Sequence, residues 1–210
     1  MISRPGRFIT FEGADGAGKS TQSRVLAKQL RACGIPTILT REVGGTAGAE
    51  AIRNVWLSGQ YEWDALTELL LVLAARRDHI NKIIKPALQR GEWVICDRFM
   101  DSTYAYQGAG QGLSPAIIKK IVALSLPALK PHTTFVLMVD EKISQRRMTA
   151  RARDRFEEKI SFQKRVNGMF RKIARQQPAR CLVVDASREV EAVSHTIWQH
   201  IAKKYKLRHA

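Results

Sequence analysis

The sequence of 210 residues predicts an α/β fold, a parallel sheet held between two layers of helices. Three observations carry that expectation. Short apolar segments alternate with longer stretches of helical periodicity, the pattern of βαβ units joined by right-handed crossovers. The segments are apolar at consecutive positions, as strands covered on both faces must be. The first of them, Phe8-Ile9-Thr10-Phe11, runs through a glycine-rich loop directly into a helix.

That loop, Gly13-Ala14-Asp15-Gly16-Ala17-Gly18-Lys19-Ser20-Thr21, satisfies the Walker A pattern G-x-x-x-x-G-K-[ST] in the required strand–loop–helix context. Glycines let successive backbone N–H groups turn inward toward an anion, and the helix N-terminus adds the positive end of its dipole. Lys19 is then placed to reach the outer phosphates and the Ser20 hydroxyl to hold Mg²⁺. The expected ligand is a nucleoside triphosphate.

Beyond the loop, Val25, Leu26 and Leu30 recur at helical spacing until Gly34-Ile35-Pro36 stops the helix. Thr37-Ile38-Leu39-Thr40 reads as a second strand, and a helix over 49–57 carries Arg53. A long helix over about 64–90 carries Glu68, Arg76, Arg77 and His79, with Pro86 marking a break. The third strand, Trp93-Val94-Ile95-Cys96, ends at Asp97-Arg98. A helical tract interrupted by Gly108, Gly110 and Gly112 follows, then a helix over 114–126 and a fourth strand over 133–139. A helix to about Ala174, a fifth strand over 181–184 and a helix from Glu189 complete the chain. No linker, repeat or low-complexity tract divides it, so one domain over 1–210 is expected.

Ligands of such sheets bind at the carboxyl ends of the strands. Here those ends carry the glycine loop, Arg41-Glu42 and Asp97-Arg98. Asp97 reads either as a carboxylate orienting Mg²⁺ or as a helix N-cap. Arg98, with Arg53 and Arg76 on neighbouring helices, reads as a clamp for a second anion facing the triphosphate. The segment Arg146-Arg147-Met148-Thr149-Ala150-Arg151-Ala152-Arg153-Asp154-Arg155 is open to three readings: a nucleic-acid patch, a mobile lid over about 146–157, or a solvated helical face. It lacks the interleaved aromatics of single-strand binders. The glycine loop holds no arginine, so a cation for the transferring phosphoryl group must come from elsewhere, which favours the lid.

Composition sets the remaining bounds. Lys and Arg number 35 against 19 Asp and Glu, a net charge of +16, which suits anionic substrates as well as a polyanion. Cys33, Cys96 and Cys181 have neither zinc nor disulfide-framework spacing. Met1 to Arg7 has no apolar core of a signal peptide, and the apolar run over 69–75 is too short to span a bilayer. A soluble cytoplasmic protein is expected, with nucleic acid an unlikely partner.

Taken together, Phe11-Glu12-Gly13, the loop to Thr21, Thr40-Arg41-Glu42 with Gly44-Gly45-Thr46, Ala74-Ala75-Arg76, and Ile84-Lys85-Pro86-Ala87-Leu88 resemble bacterial thymidylate kinase. So does Asp97-Arg98-Phe99-Met100-Asp101-Ser102-Thr103-Tyr104-Ala105-Tyr106-Gln107-Gly108, and the resemblance runs colinearly over nearly the whole chain. It implies a P-loop NTPase fold with strand order 2-3-1-4-5, transfer of the ATP γ-phosphate to dTMP with Mg²⁺, and a homodimer. Carried over residue by residue, Arg98 would hold the dTMP phosphate with Arg53 assisting, alongside Ser102. Arg76 and Gln107 would read the thymine edge, Asp15 would meet the sugar 3′-hydroxyl, and Tyr106 would crowd the place of a ribose 2′-hydroxyl. Arg151, backed by Arg153, would be the catalytic lid arginine beside Lys19, and Ser20 and Asp97 would serve the metal.

Two positions depart from the resemblance. Val43 stands where the family has proline. Val72 stands where the family places an aromatic against thymine, a loss worth about 1–3 kcal/mol of base binding. Alternatives are a kinase for another pyrimidine monophosphate such as dUMP and, from a different class, a basic ATP-binding nucleic-acid module. A GTPase is disfavoured, because Asn81-Lys82-Ile83-Ile84 lacks the aspartate of a guanine-reading motif.

Overall fold

The computed structural model describes residues 5–140, 143 and 156–207. Five parallel strands form one sheet: β1 (Phe8–Glu12), β2 (Thr37–Arg41), β3 (Trp93–Asp97), β4 (Thr133–Met138) and β5 (Cys181–Asp185), in the spatial order β2-β3-β1-β4-β5. The expected strand order therefore holds. Phe11 pairs with Asp97 and Glu12 with Val136, so the carboxyl ends of β1, β3 and β4 lie level with one another.

Each face of the sheet has its own apolar layer. On one side Ile9, Phe11, Ile95, Phe135 and Leu137 meet Leu26, Ala27 and Leu30 of α1 (Lys19–Ala32) and Val193, Ile197 and Ile201 of the last helix (α8, Val190–Tyr205). On the other, Phe8, Val94 and Cys96 pack on Ile80, Ile84, Ala87 and Phe99. Beside them Val136 and Cys181 pack on Val166, Phe170 and Ile173 of α7 (Phe156–Gln176). Fully burying each large apolar side chain contributes about 1.5–3 kcal/mol. Exposed pairs such as Arg41–Glu50, 3.0 Å apart, contribute at most about 1 kcal/mol. The two apolar layers therefore dominate stability.

Helix starts follow the local chemistry. Thr46 caps α2 (Ala47–Leu57) by accepting the Ala49 N–H at 3.0 Å. Asp64 caps α3 (Ala65–His79) by accepting from Leu66 and Thr67 at 2.8 and 3.0 Å. Ser114 caps α6 (Pro115–Ser125), where Pro115 occupies a position that needs no donor.

The helix expected over 64–90 is not uniform. After α3 the chain widens into a π-helical stretch, Ile80–Ile84, before α4 (Lys85–Gln89). Pro86 lacks the N–H that regular winding would use, and the wider turn accommodates that gap without ending the helix. The glycine-interrupted tract likewise resolves into α5 (Met100–Thr103) and a π-helical stretch, Tyr104–Gly110. The basic segment over 146–155 lies outside the described residues; α7 begins at Phe156.

Candidate active site

At the carboxyl edge of the sheet a cavity of about 720 Å³ opens between the glycine loop, α2, α3 and the turn after β3. Its floor is the loop itself. Gly13 has φ +135°, and a Cβ there would stand 2.3 Å from the Leu137 carbonyl oxygen, so only glycine lets the loop lie this close to β4. Gly18, at φ +87°, turns the backbone into α1. Asp15, Gly16, Gly18, Lys19, Ser20 and Thr21 line the cavity, as expected. The Ala14 and Ala17 side chains are buried, Ala17 within the core beneath. Neither is among the residues that line the cavity, and the Ala14 carbonyl accepts from Lys19 Nζ at 2.6 Å.

Lys19 is 6% exposed. Burial, then the Arg98 cation, lowers its pKa to about 7, with Asp15, Asp97 and Glu12 working in the opposite direction. A bound triphosphate adds negative charge at the ammonium and reverses that shift. Triphosphate binding is therefore expected to take up close to one proton near pH 8–9 and none below about pH 6, so affinity rises as pH falls through that window. Calorimetric titration in two buffers of different ionisation enthalpy measures the uptake, and Lys19→Met is expected to remove it.

The Ser20 hydroxyl donates to Asp97 Oδ2, which brings together the two side chains expected to serve the metal. Asp97 is not a helix cap, because Phe99 occupies the position before α5. Hard oxygen donors of this kind fit Mg²⁺, which is held by few protein groups together with waters and phosphates. Among the described residues no cluster of three or more metal-ligating side chains competes with this site.

Arg98 is the hub. Its φ of +69° lies in the left-handed region, which costs a non-glycine residue about 1–3 kcal/mol. Neighbouring bonds hold it there. The Arg98 N–H donates to Phe11 O at 2.8 Å, and the next N–H, of Phe99, donates to Glu12 Oε1 at 2.8 Å. The guanidinium donates to Gly13 O at 2.9 Å, Ser102 Oγ at 3.1 Å, Asp15 Oδ1 at 2.5 Å and Tyr106 OH at 3.1 Å. The Tyr106 ring lies under it, 5.0 Å from centroid to guanidinium carbon. Desolvation works against ionisation of Asp15, but the Arg98 and Lys19 cations outweigh it and hold the carboxyl below its ordinary value.

Arg53 of α2 faces the same cavity and donates to Val43 O at 2.8 Å. Arg76 departs from the anion-clamp reading. It is 3% exposed, ion-paired with Glu42, and donates to Thr103 Oγ1 at 2.8 Å and Phe99 O at 3.1 Å. A buried cation requires such partners, and they leave little of its donor capacity for a ligand. It lines the cavity as one polar group of a wall that includes Val72, Thr103 and Gln107. The peptide joining Glu42 to Val43 is cis.

Three acidic residues that the sequence reading named without giving them a role organise the site. Glu12 accepts from Phe99 N and from Ser102 Oγ at 2.6 Å, fixing the turn that presents Arg98. Burial, then the Asp101 carboxylate, raises its pKa to about 7, with Ser102, Arg98 and Phe99 N opposing. Glu42 joins Arg76 to His79, whose Nδ1 lies 3.0 Å from the carboxylate and whose Nε2 lies 2.7 Å from Thr40 Oγ1. Glu68 accepts from Gln107 at 3.3 Å and Gln111 at 2.7 Å, which orients the Gln107 amide. The signal for Glu12 was its place at the carboxyl end of the first strand, immediately before the loop.

A Walker A loop and an arginine-bearing wall lining one cavity at the sheet edge suit phosphoryl transfer. Comparison with known proteins narrows this. Residues 11–197 match the family model described as thymidylate kinase. The chain is 44% identical over 205 residues to "Thymidylate kinase" of Bradyrhizobium sp., covering 95% of this chain and 91% of the relative. It is 46% identical over 203 residues to "Thymidylate kinase" of Rhodopseudomonas palustris, covering 93% and 88%. The crystal structure of thymidylate kinase from Ehrlichia chaffeensis superposes with a TM-score of 0.78 at 38% identity, over 94% of this chain and 99% of that one. The chain belongs to the thymidylate kinase family. Its fold is that of the P-loop NTPases, and ATP with Mg²⁺ is the phosphate donor for thymidylate kinases. Among the described residues, no helix of this chain is long and apolar enough to cross a membrane.

Proposed function

We propose that this chain phosphorylates dTMP to dTDP at the expense of ATP, with the roles below. The observation that carries the reading is Arg98, a half-buried cation held by Gly13 O, Ser102 and Asp15 in the same cavity that Lys19 lines. Two cations lining one cavity suit a donor γ-phosphate and an acceptor phosphate brought into line. Lys19 and the loop N–H groups hold the donor phosphates. Ser20 and Asp97 hold Mg²⁺, which when bound neutralises charge on the phosphates. Arg98 pairs with the acceptor phosphate, and Arg53 approaches it from α2. Asp15 meets the sugar 3′-hydroxyl and Tyr106 excludes a 2′-hydroxyl. Gln107 meets the base edge together with the little donor capacity that Arg76 retains, and Val72 gives it an apolar wall. Incubation with ATP·Mg²⁺ and dTMP, with chromatographic separation of products, tests the reading: dTDP and ADP form in equal amounts, and ADP formed without dTDP contradicts it.

The catalytic cation comes from the lid over about 146–157. Arg151→Ala is expected to lower kcat by about tenfold or more while the dTMP dissociation constant holds, because such an arginine acts chiefly in the transition state. Arg153 moderates the loss. Rapid-quench kinetics with equilibrium binding separates the two quantities, and weakened binding with kcat unchanged moves the catalytic role to Arg153.

A homodimer and a cytoplasmic location belong to the same proposal. Leu66 and Leu70 stand one helical turn apart on α3 at 41% and 50% exposed, and Leu124 of α6 is 87% exposed. Apolar groups on two packed helices favour association with a like surface.

A further inference from the structure

We propose that Trp56, on α2, is the aromatic surface against which the acceptor base lies, a specificity role that rests on the dTMP assignment above. The base end of the cavity is walled by Val72, Arg76, Thr103 and Gln107, with Trp56 facing it from α2. A base needs its flat face covered as well as its edge read, and stacking on an aromatic ring satisfies this because every base has a π-face. Val72 offers only a branched alkyl group. The other aromatic lining the cavity, Tyr106, is already committed: its hydroxyl accepts from Arg98 and donates to Asp15 at 3.3 Å, and its ring covers the Arg98 guanidinium.

Trp56 has no such commitment. Among the described residues no aromatic or cation–π pair engages it. It is half-buried and packs against the cluster of Val43, Ala49, Val72 and Ala75, together with Ile52. These are small and branched residues, so the indole rests on a firm apolar base while part of it reaches the cavity. Arg53 and Trp56 are three residues apart on α2 and therefore share a face. One helical face thus presents a cation toward the acceptor phosphate and an indole toward the base. The Arg53 bond to Val43 O ties that helix to the turn beneath it. The same packing explains how a valine at position 72 is compatible with base binding: the residue that fills the space above it is an indole from the next helix.

The test compares dTMP binding and kinetics in wild type, Trp56→Phe and Trp56→Leu, with thermal unfolding alongside. Trp56→Leu is expected to raise KM for dTMP by about five- to hundredfold, the range for loss of one stacked base. Its kcat and KM for ATP stay within about twofold, and Trp56→Phe retains most of the affinity. Val72→Phe alone crowds the indole, whereas Val72→Phe in the Trp56→Leu background recovers dTMP affinity. In the unsubstituted protein, dTMP changes tryptophan fluorescence, and Trp56→Phe abolishes that change. Wild-type turnover of dTMP with Trp56→Leu binding dTMP normally overturns this inference alone. So does a fluorescence response that persists in Trp56→Phe. A wild type that does not turn over dTMP overturns the acceptor assignment and this inference with it.

Discussion

Lys19→Ala is expected to lower kcat by at least about a hundredfold, the loss that follows removal of one preorganised donor to developing charge. The ammonium lies buried against the loop at Ala14 O, in surroundings where water cannot substitute for it. The effect belongs to kcat more than to KM, since the charge on the transferring phosphoryl group changes during reaction while the phosphates held by backbone N–H groups remain. Steady-state kinetics with saturating dTMP measures it. Turnover within a few-fold of wild type would remove the loop from the chemistry.

Arg98→Ala is the second large effect. The side chain is bonded to Asp15, Ser102, Tyr106 and the Gly13 carbonyl. Truncation removes the cation for the acceptor phosphate and also leaves the Asp15 carboxylate without its ion pair. The Asp15 side chain is 54% exposed, so loss of that pair is screened by solvent, and the effect comes mainly from the charge-assisted bonds to the acceptor phosphate, about 1.5–3 kcal/mol. That corresponds to a loss of kcat/KM for dTMP of roughly tenfold to a hundredfold or more, read by initial rates across dTMP concentration. The KM for ATP should move far less. Equal losses for both substrates would show that Arg98 holds the fold of the site rather than the acceptor. Arg98→Lys is expected to recover little, since a point charge cannot reproduce a fork that bonds several oxygens at once.

Much of this arrangement is legible in the sequence because it is local. Phe8 to Thr21 carries strand, loop and helix start in one contiguous stretch, and the physics of anion binding fixes its order. Asp97-Arg98 follows an apolar strand, which places both residues at the sheet edge before any contact is known. What was hidden is what depends on distant partners. Glu12 reads as a strand end, yet its meaning comes from Phe99 and Ser102, which only the β1–β3 pairing brings to it. Arg76 reads as part of an anion clamp until Glu42 is seen beside it. The π-helical stretches are not legible in helical periodicity, because five and seven residues are too few to tell a wider turn from the drift of an apolar stripe. Trp56 reads as an apolar helix position; that it faces a cavity depends on how α2 packs on α3.

Selection of thymidylate as phosphate acceptor is the property on which the proposed roles of these residues converge. Its most direct test is coupled ADP release with ATP·Mg²⁺ and, in parallel, dTMP, dUMP, UMP and dCMP at limiting concentration. The arrangement predicts the highest kcat/KM for dTMP. It predicts about tenfold or more over dUMP, since one methyl group in an apolar pocket is worth about 1–3 kcal/mol, and a larger margin over UMP, whose 2′-hydroxyl meets Tyr106. Equal or faster turnover of dUMP or dCMP would contradict it.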